Sequence, residues 1–328
     1  MNLEKWCVFM KLGVTSGSYA RFGEDRYQRM KEHGYDYCDL NLANTNLPFY
    51  HCSEEELTVM IAGEKKLAEE AGISFYQIHG PWRHPPRDPT AEERAERKEK
   101  MLRSLQIAGL LGSKYVVIHP IMPFGAKDWI EPERTFQMNV DFFRALIPEA
   151  KKWGVGIAIE NMPMRSFPLA TPEAVLKLVE ALDDPTVQVC LDTGHCAVVE
   201  VQPGAAVRQL GDRVKVLHVH DNNGKSDLHM IPYTGVIDWE DFAVALKETG
   251  FSGAFSVESS APKAQVNTEA ALALTGATAL IARQIAEMTE YQREPPLIQV
   301  NQRGIYHLCC LMYSLGVQPY ICLKERRK

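Results

Sequence analysis

The chain alternates eight short runs rich in β-branched and aromatic residues with longer stretches of helical period, and this alternation restricts its fold more than any other feature. The runs are FMKLGVT (9–15), YDYCDL (35–40), SFYQIH (74–79), KYVVIH (114–119), VGIAIE (155–160), VQVCLD (187–192), VKVLHVHD (214–221) and GAFSVE (253–258). Most are almost continuously apolar, the pattern of strands buried on both faces. Strand–helix alternation makes successive strands parallel, and eight such units predict an α/β fold of the (β/α)8 barrel type. An open doubly wound sheet is the rival, and it ordinarily carries a Gly-rich phosphate turn after its first strand. Here that position reads GVTSGSYARFGEDR, with no G-x-G-x-x-G. Helices are expected over 53–72 and 90–112. Ser53 and Thr90 serve as N-caps, with Glu93 in capping-box position, and Gly72 and Gly112 end the two segments. Thr171 followed by Pro172 repeats the device before 171–182.

Residues 1–290 are thus expected to form the barrel. Pro295 and Pro296 end the eighth helix, and 291–328 has no clear period and a basic end. This C-terminal extension is read as dispensable for chemistry. A dimerisation arm, a lid and an unstructured appendage all fit it, so homo-oligomerisation stays open.

At 45% hydrophobic and 24% charged residues over 328 positions, the chain has ample material for a packed core, which excludes disorder and fibrous classes. No apolar run approaches ~18 residues, so no membrane span is expected. The N-terminal MNLEKWCVFMKLGVTSG lacks the basic, apolar and small-residue order of a secretory signal. The eight cysteines, at 7, 38, 52, 190, 196, 309, 310 and 322, form no C-x-x-C pair and are too sparse for a disulfide scaffold. They are read as thiols in a reducing cytoplasm. The net charge of −6 gives no general attraction to nucleic acid.

The chemistry lies at the strand ends, because barrel enzymes place their reactive groups at the C-terminal ends of strands and in the loops that follow. Strand 3 ends at His79, strand 4 at His119, strand 5 at Glu160 and strand 8 at Glu258. Strand 6 ends at Asp192 and runs on to His195. Strand 7 carries His218, His220 and Asp221, with Asp227 and His229 in its loop. A single strand-end histidine is most simply a hydrogen-bonded core residue, and a single glutamate a solvated rim charge. Six consecutive strands ending this way are another matter. Buried charges are almost never unpaired, and converging carboxylates repel unless a cation lies between them. One or more divalent metals are therefore expected. A donor set of nitrogen and oxygen suits Mn²⁺, Co²⁺, Zn²⁺ or Mg²⁺, and the histidines favour Mn²⁺ or Zn²⁺ over Mg²⁺. No organic cofactor is expected.

Taken together, IHGPW, VIHP, IENMP, LDTGH, HVHDNNGKSDLH, PYTGVIDW and SVES resemble the xylose isomerase-like barrel superfamily, from about residue 10 to residue 285. That superfamily holds sugar and sugar phosphate isomerases and epimerases beside endonuclease IV-type DNA repair enzymes. The isomerase branch implies one metal held by Glu160, Asp192, His218 and Glu258, with Glu160 and Glu258 also acting as acid and base on opposite faces of the substrate. His195 would touch a substrate oxygen. The endonuclease branch implies a trinuclear zinc site, and its nine ligands have counterparts in those four residues together with His79, His119, His195, Asp227 and His229. The H-x-x-D pattern of the resemblance selects His218 as ligand with Asp221 three residues on, and leaves His220 a supporting role.

Trp82 is read as stacking on a substrate ring or capping the barrel mouth. Lys225 and Arg165 lie in site-facing loops, where either a substrate contact or an ordinary solvated charge fits, and Lys225 is carried as a candidate substrate contact. The expected function is a divalent-metal-dependent sugar or sugar phosphate isomerase or epimerase, with a small carbohydrate as substrate. Two alternatives stand beside it. One is an endonuclease IV-like phosphodiesterase acting on abasic DNA. It is disfavoured because NLANTNLPFYHCSEEEL (41–57) and PFGAKDWIEPER (123–134) offer no basic, aromatic-interleaved grip on a duplex. The other is a metal-containing barrel subunit of a partner-dependent enzyme.

Overall fold

The computed structural model describes residues 10–82, 90–122, 131–259 and 264–289. Its eight strands are β1 (Leu12–Thr15), β2 (Tyr37–Asn41), β3 (Gln77–His79), β4 (Tyr115–Ile118), β5 (Gly156–Glu160), β6 (Val187–Asp192), β7 (Val214–His218) and β8 (Phe255–Val257). All pair in parallel in the order β7-β6-β5-β4-β3-β2-β1-β8. Closure between β8 and β7 comes from the Val219–Val257 bridge, where Val219 N donates to Ser256 O at 2.8 Å and Glu258 N to Val219 O at 2.9 Å. The expected (β/α)8 barrel is the fold observed. The 291–328 extension lies outside the described residues. None of the described helices is long and apolar enough to cross a membrane.

Helices occupy the crossovers: α1 (Arg26–Glu32), α2 (Glu54–Glu70), α3 (Ala91–Leu111), α4 (Pro132–Arg144), α5 (Ile147–Trp153), α6 (Pro172–Leu182), α7 (Thr193–Val198), α8 (Pro203–Leu210), α9 (Trp239–Glu248) and α10 (Thr268–Met288). Their starts follow local chemistry. Ser53 and Glu56 form a reciprocal capping box on α2, Thr90 accepts from Glu93 N on α3, and Thr171 accepts from Ala174 N on α6. Gly112 closes α3 at a φ of 78°, a left-handed conformation that glycine adopts without penalty.

Period-two alternation sorts each strand into two faces. The outward residues, among them Leu40, Ile78, Val116, Ile157, Val189 and Leu217, join helix residues such as Leu57, Leu105, Phe143, Leu178 and Phe242 in the main apolar core. The inward residues Val117, Ala158, Cys190 and Val216 form a second buried cluster with Tyr76 and Ala254. Below them Tyr37, Tyr76 and Tyr115 stack in tilted pairs at 5.5 and 5.8 Å. A Cβ on Gly156 would come within 2.6 Å of the Tyr115 ring, so only glycine fits there. The lumen is a packed core with its polar layer above.

The seventh run is shorter than its composition implies. β7 stops at His218 rather than Asp221, and the cause is the Asp221 carboxylate. Fully buried, it accepts from the backbone N of Asn222, Gly235 and Val236 and from Trp239 Nε1, at 2.9–3.0 Å. These bonds draw the chain out of the sheet and tie the following loop down. Gly235 permits the approach, since a Cβ there would lie 2.1 Å from Asn222 O.

Candidate active site

Four strand ends bring Glu160, Asp192, His218 and Glu258 together, with one ligand atom from each lying within 4.8 Å of all the others. Glu160, Asp192 and His218 are buried, and the Glu258 side chain is 14% exposed. His218 Nδ1 sits 2.8 Å from Glu160 Oε1 and 3.1 Å from Glu258 Oε2. Asp192 also caps α7. Its Oδ1 accepts from His195 N at 2.6 Å, and its Oδ2 lies 3.0 Å from His220 Nε2. Asn161 stitches β5 to β6 beneath this group, accepting from Asp192 N through its side chain and from His195 Nδ1 through its carbonyl.

Four further groups overlap or adjoin the first: one joins Cys190 to Glu160 and His218, one joins His79 to His218 and Glu258, and two reach further out. Of these last two, His79, His119 and Glu160 form one, and His195, His220, Asp227 and His229 the other. The two share the cavity wall but not a residue. In His79, His195 and His229 the ring Nδ1 donates to a backbone carbonyl, of Gly80, Asn161 and Glu258 respectively, at 2.7–2.8 Å. This leaves Nε2 as the atom each ring can offer to a metal, although in His195 and His229 it faces Asp227 Oδ2 at 3.3 and 3.2 Å and carries a proton until a cation displaces it. His229 takes a left-handed φ of 47°, a strained conformation for a non-glycine residue and one that clusters at functional sites. His220 is fully buried and stacks on His229 at 4.1 Å. Gly194 makes room for it, because a Cβ there would lie 2.0 Å from the His220 ring.

Charge is concentrated here. Burial pushes the Glu160 carboxyl up, but the His218 and His119 rings hold it well below the usual carboxylate range. Burial also opposes a proton on His195, yet Asp192 and then Asp227 raise its pKa to about 10. His229 is opposed by burial and raised to about 9 by Asp227. His79 moves the other way, lowered by burial and by the neighbouring His119. On His218 burial is again overcome, with Cys190, Glu258 and Glu160 raising the ring well above its ordinary value. The Cys190 thiol is itself kept neutral by burial, so the carboxylates hold that proton. Protons thus stand where a cation would otherwise balance the carboxylates.

The donor set fits a divalent metal. Glu160 Oε2 and His119 Nε2 are buried and 2.7 Å apart, yet neither makes a well-aligned hydrogen bond, as expected of two donors turned toward a common cation. All donors in the central group and the two outer ones are imidazole or carboxylate, the chemistry of Zn²⁺ and Mn²⁺ sites.

A cavity of about 480 Å³ opens above. His79, His119, Glu160, His195, Asp227, His229 and Glu258 form its polar wall, and Ala43, Trp82, Met162, Pro163 and Met164 its apolar one. Its size and mixed lining are those of small-molecule pockets. Trp82 is half-buried and meets His119 edge-on at 4.4 Å. Lys225 is exposed and absent from the cavity wall, because its loop is turned by its own N–H donating to Asn223 Oδ1 at 3.0 Å. Arg165 is likewise engaged elsewhere, with Glu200 and with Gly224 O. Two polar residues of β2 escaped the sequence reading: Asn41 lines the cavity, and Asp39 lies 3.0 Å from His218 Nε2. The signal for Asp39 was a carboxylate set between Cys38 and Leu40 within a strand run.

The family model described as xylose isomerase-like TIM barrel matches residues 27–281. The chain belongs to this family. An uncharacterized protein of Methanocaldococcus jannaschii is 26% identical over 263 residues, 77% of this chain and 85% of that protein. A D-psicose 3-epimerase of Ruminiclostridium cellulolyticum is 24% identical over 260 residues, 76% of this chain and 83% of the epimerase. Among solved structures, the IOLI protein with a bound zinc atom superposes with a TM-score of 0.64 at 21% identity, covering 85% of this chain and 96% of that one. At that identity the likeness is one of fold. Within the xylose isomerase-like family the related chains include sugar epimerases and isomerases, and this protein carries residue groups suited to a metal.

Proposed function

We propose that this protein is a divalent-metal-dependent isomerase or epimerase acting on a sugar or sugar phosphate. The observation that carries the reading is the convergence of Glu160, Asp192, His218 and Glu258, of which Glu160 and Glu258 line the cavity. These four residues would hold the cation. A bound divalent cation polarises a carbonyl and acidifies the neighbouring C–H. Glu160 and Glu258 stand on the cavity wall as the proton-accepting and proton-donating groups, each within reach of the same small volume. His195 presents Nε2 toward the cavity and would meet a substrate oxygen, and Trp82 would cover one face of the sugar.

The test is incubation with a panel of ketoses in heavy water. Deuterium should enter at the carbon next to the carbonyl. Glu258→Gln should abolish exchange, because an amide cannot accept the proton, and metal content measured on the same sample separates that loss from loss of the metal. A metal-loaded wild type that leaves the whole panel unexchanged would contradict the reading.

A second reading, phosphodiester hydrolysis with several metals, draws on one specific observation. The His79–His119–Glu160 and His195–His220–Asp227–His229 groups flank the central four as two more potential ligand sets. Nicking of abasic duplex DNA by a chain that carries three metals would favour it over the isomerase.

A further inference from the structure

His218 is held differently from its neighbours. His79, His195 and His229 rest their Nδ1–H on backbone carbonyls and offer Nε2. His218 is reversed: its Nδ1 faces Glu160 Oε1 and Glu258 Oε2, and its Nε2 lies 3.0 Å from Asp39 Oδ2. Asp39 is 3% exposed, on β2, a strand that contributes nothing to the four converging residues. Gln77 on β3 fixes the same carboxylate oxygen, donating from Nε2 to Asp39 Oδ2 at 2.8 Å and to Leu217 O at 3.1 Å. The Leu217 carbonyl belongs to the residue before His218. Asp39, Gln77 and β7 are thereby joined in one buried bridge across the lumen.

From this geometry we propose that Asp39 is the positioning residue of the metal centre, an inference resting on the metal-dependent reading above. Carboxylates face both ring nitrogens, Glu160 Oε1 at Nδ1 and Asp39 Oδ2 at Nε2, and a carboxylate accepts. With a metal on Nδ1 the single proton of neutral His218 would sit on Nε2, where Asp39 accepts it. That leaves the Nδ1 lone pair aimed at the space between Glu160, Asp192 and Glu258. A carboxylate also makes the ring a stronger donor than a carbonyl partner does, and fixes its plane. The burial of a carboxylate whose Oδ1 has no hydrogen-bond partner is costly to the fold, and a role in holding the ring accounts for its presence. Asp39 does not line the cavity. It acts through His218.

Two measurements test this with Zn²⁺ as the probe. In chelator-competition titrations, Asp39→Asn should lower Zn²⁺ affinity by about 10- to 100-fold, while Asp192→Asn removes the tight site. Both are compared with the thermal midpoint of the metal-free proteins, so that a general loss of stability is recognised. The second measurement needs no variant. In the Zn²⁺-loaded wild type carrying ¹⁵N-histidine, long-range ¹H–¹⁵N correlations should show His218 protonated at Nε2 and metal-bound at Nδ1. Unchanged Zn²⁺ affinity in a folded Asp39→Asn would overturn the inference, and so would a Zn²⁺-bound His218 protonated at Nδ1. If Asp39→Asn does not fold, the tautomer decides. A wild type that binds no Zn²⁺ or Mn²⁺ would instead overturn the metal-dependent reading beneath it.

Discussion

On β4 to β7 the lumen carries two rings of side chains, two residues apart on the same strands. Val117, Ala158, Cys190 and Val216 make the lower ring, and His119, Glu160, Asp192 and His218 the upper. Backbone and burial are almost the same in both. The lower ring is apolar and packed, and each side chain adds to stability by leaving water. The upper ring concentrates carboxylates and imidazoles where water cannot solvate them, and leaves Glu160 Oε2 and His119 Nε2 without hydrogen-bond partners. One step of the strand alternation thus separates an apolar, packed layer from a layer whose donors are suited to a cation. The lower ring gives the upper its precision, because ligands on a packed barrel cannot swing away.

The largest expected effect breaks the upper ring. Glu160→Gln, which removes a proposed acid–base group, or Asp192→Asn, which removes a proposed metal ligand, should lower turnover by roughly 10³-fold. It should also abolish the rise in thermal midpoint that the metal gives by binding only the folded state. If either variant keeps that rise in full, the upper ring is not the metal site.

Breaking the lower ring should do the reverse. Val216→Ala should cost about 2 kcal/mol of stability in both the metal-free and metal-loaded protein. The rise on adding metal should stay as large as in wild type, and turnover should remain within a few-fold. Loss of the metal in this variant would show that the two rings are not separable.

A smaller effect concerns pH. In the metal-free protein His195 has a pKa of about 10 and His218 is raised well above its ordinary value. A metal-bound ring must be neutral, so binding at His218 must release a proton and apparent affinity should rise with pH between 6 and 8, by at most about tenfold per unit for each proton released. Calorimetry in buffers of different ionisation enthalpy reads the proton count directly. Linkage gives a matching trend in the metal-free fold. A raised histidine contributes stability that is fully present below about pH 6.5 and is lost as pH rises toward the folded value of about 10. Affinity that does not change with pH would contradict the protonated upper ring.

The smallest effect tests the border of the site. Lys225→Ala and Arg165→Ala should leave turnover within about twofold, since neither side chain lines the cavity and surface changes of this kind are usually near neutral. A large loss in Lys225→Ala would mean that its loop folds over bound substrate.

Most of the upper ring was legible in the sequence because His119, Glu160 and Asp192 each end a β-branched run, where packing alone would favour another apolar side chain, and His218 lies in a run that also holds His220 and Asp221. Helix starts at Ser53, Thr90 and Thr171 were legible because capping is settled within three residues. Asp39 was not. It lies within its run rather than at the end, and its partners His218 and Gln77 are on other strands. The end of β7 was over-extended for a related reason: Val219 and His220 continue the alternation, while the bonds that pull Asp221 away come from Gly235, Val236 and Trp239. The direction of Lys225 depended on a turn held by Asn223, which composition does not encode.

The most direct test of the central claim is the metal content of the purified chain by elemental analysis, run in parallel on wild type, Val216→Ala and His218→Ala. One tightly held divalent ion per chain is predicted in wild type and in Val216→Ala, with none in His218→Ala, where the upper ring loses a donor that no neighbouring group replaces. No metal in wild type, or one that survives in His218→Ala, would contradict the account.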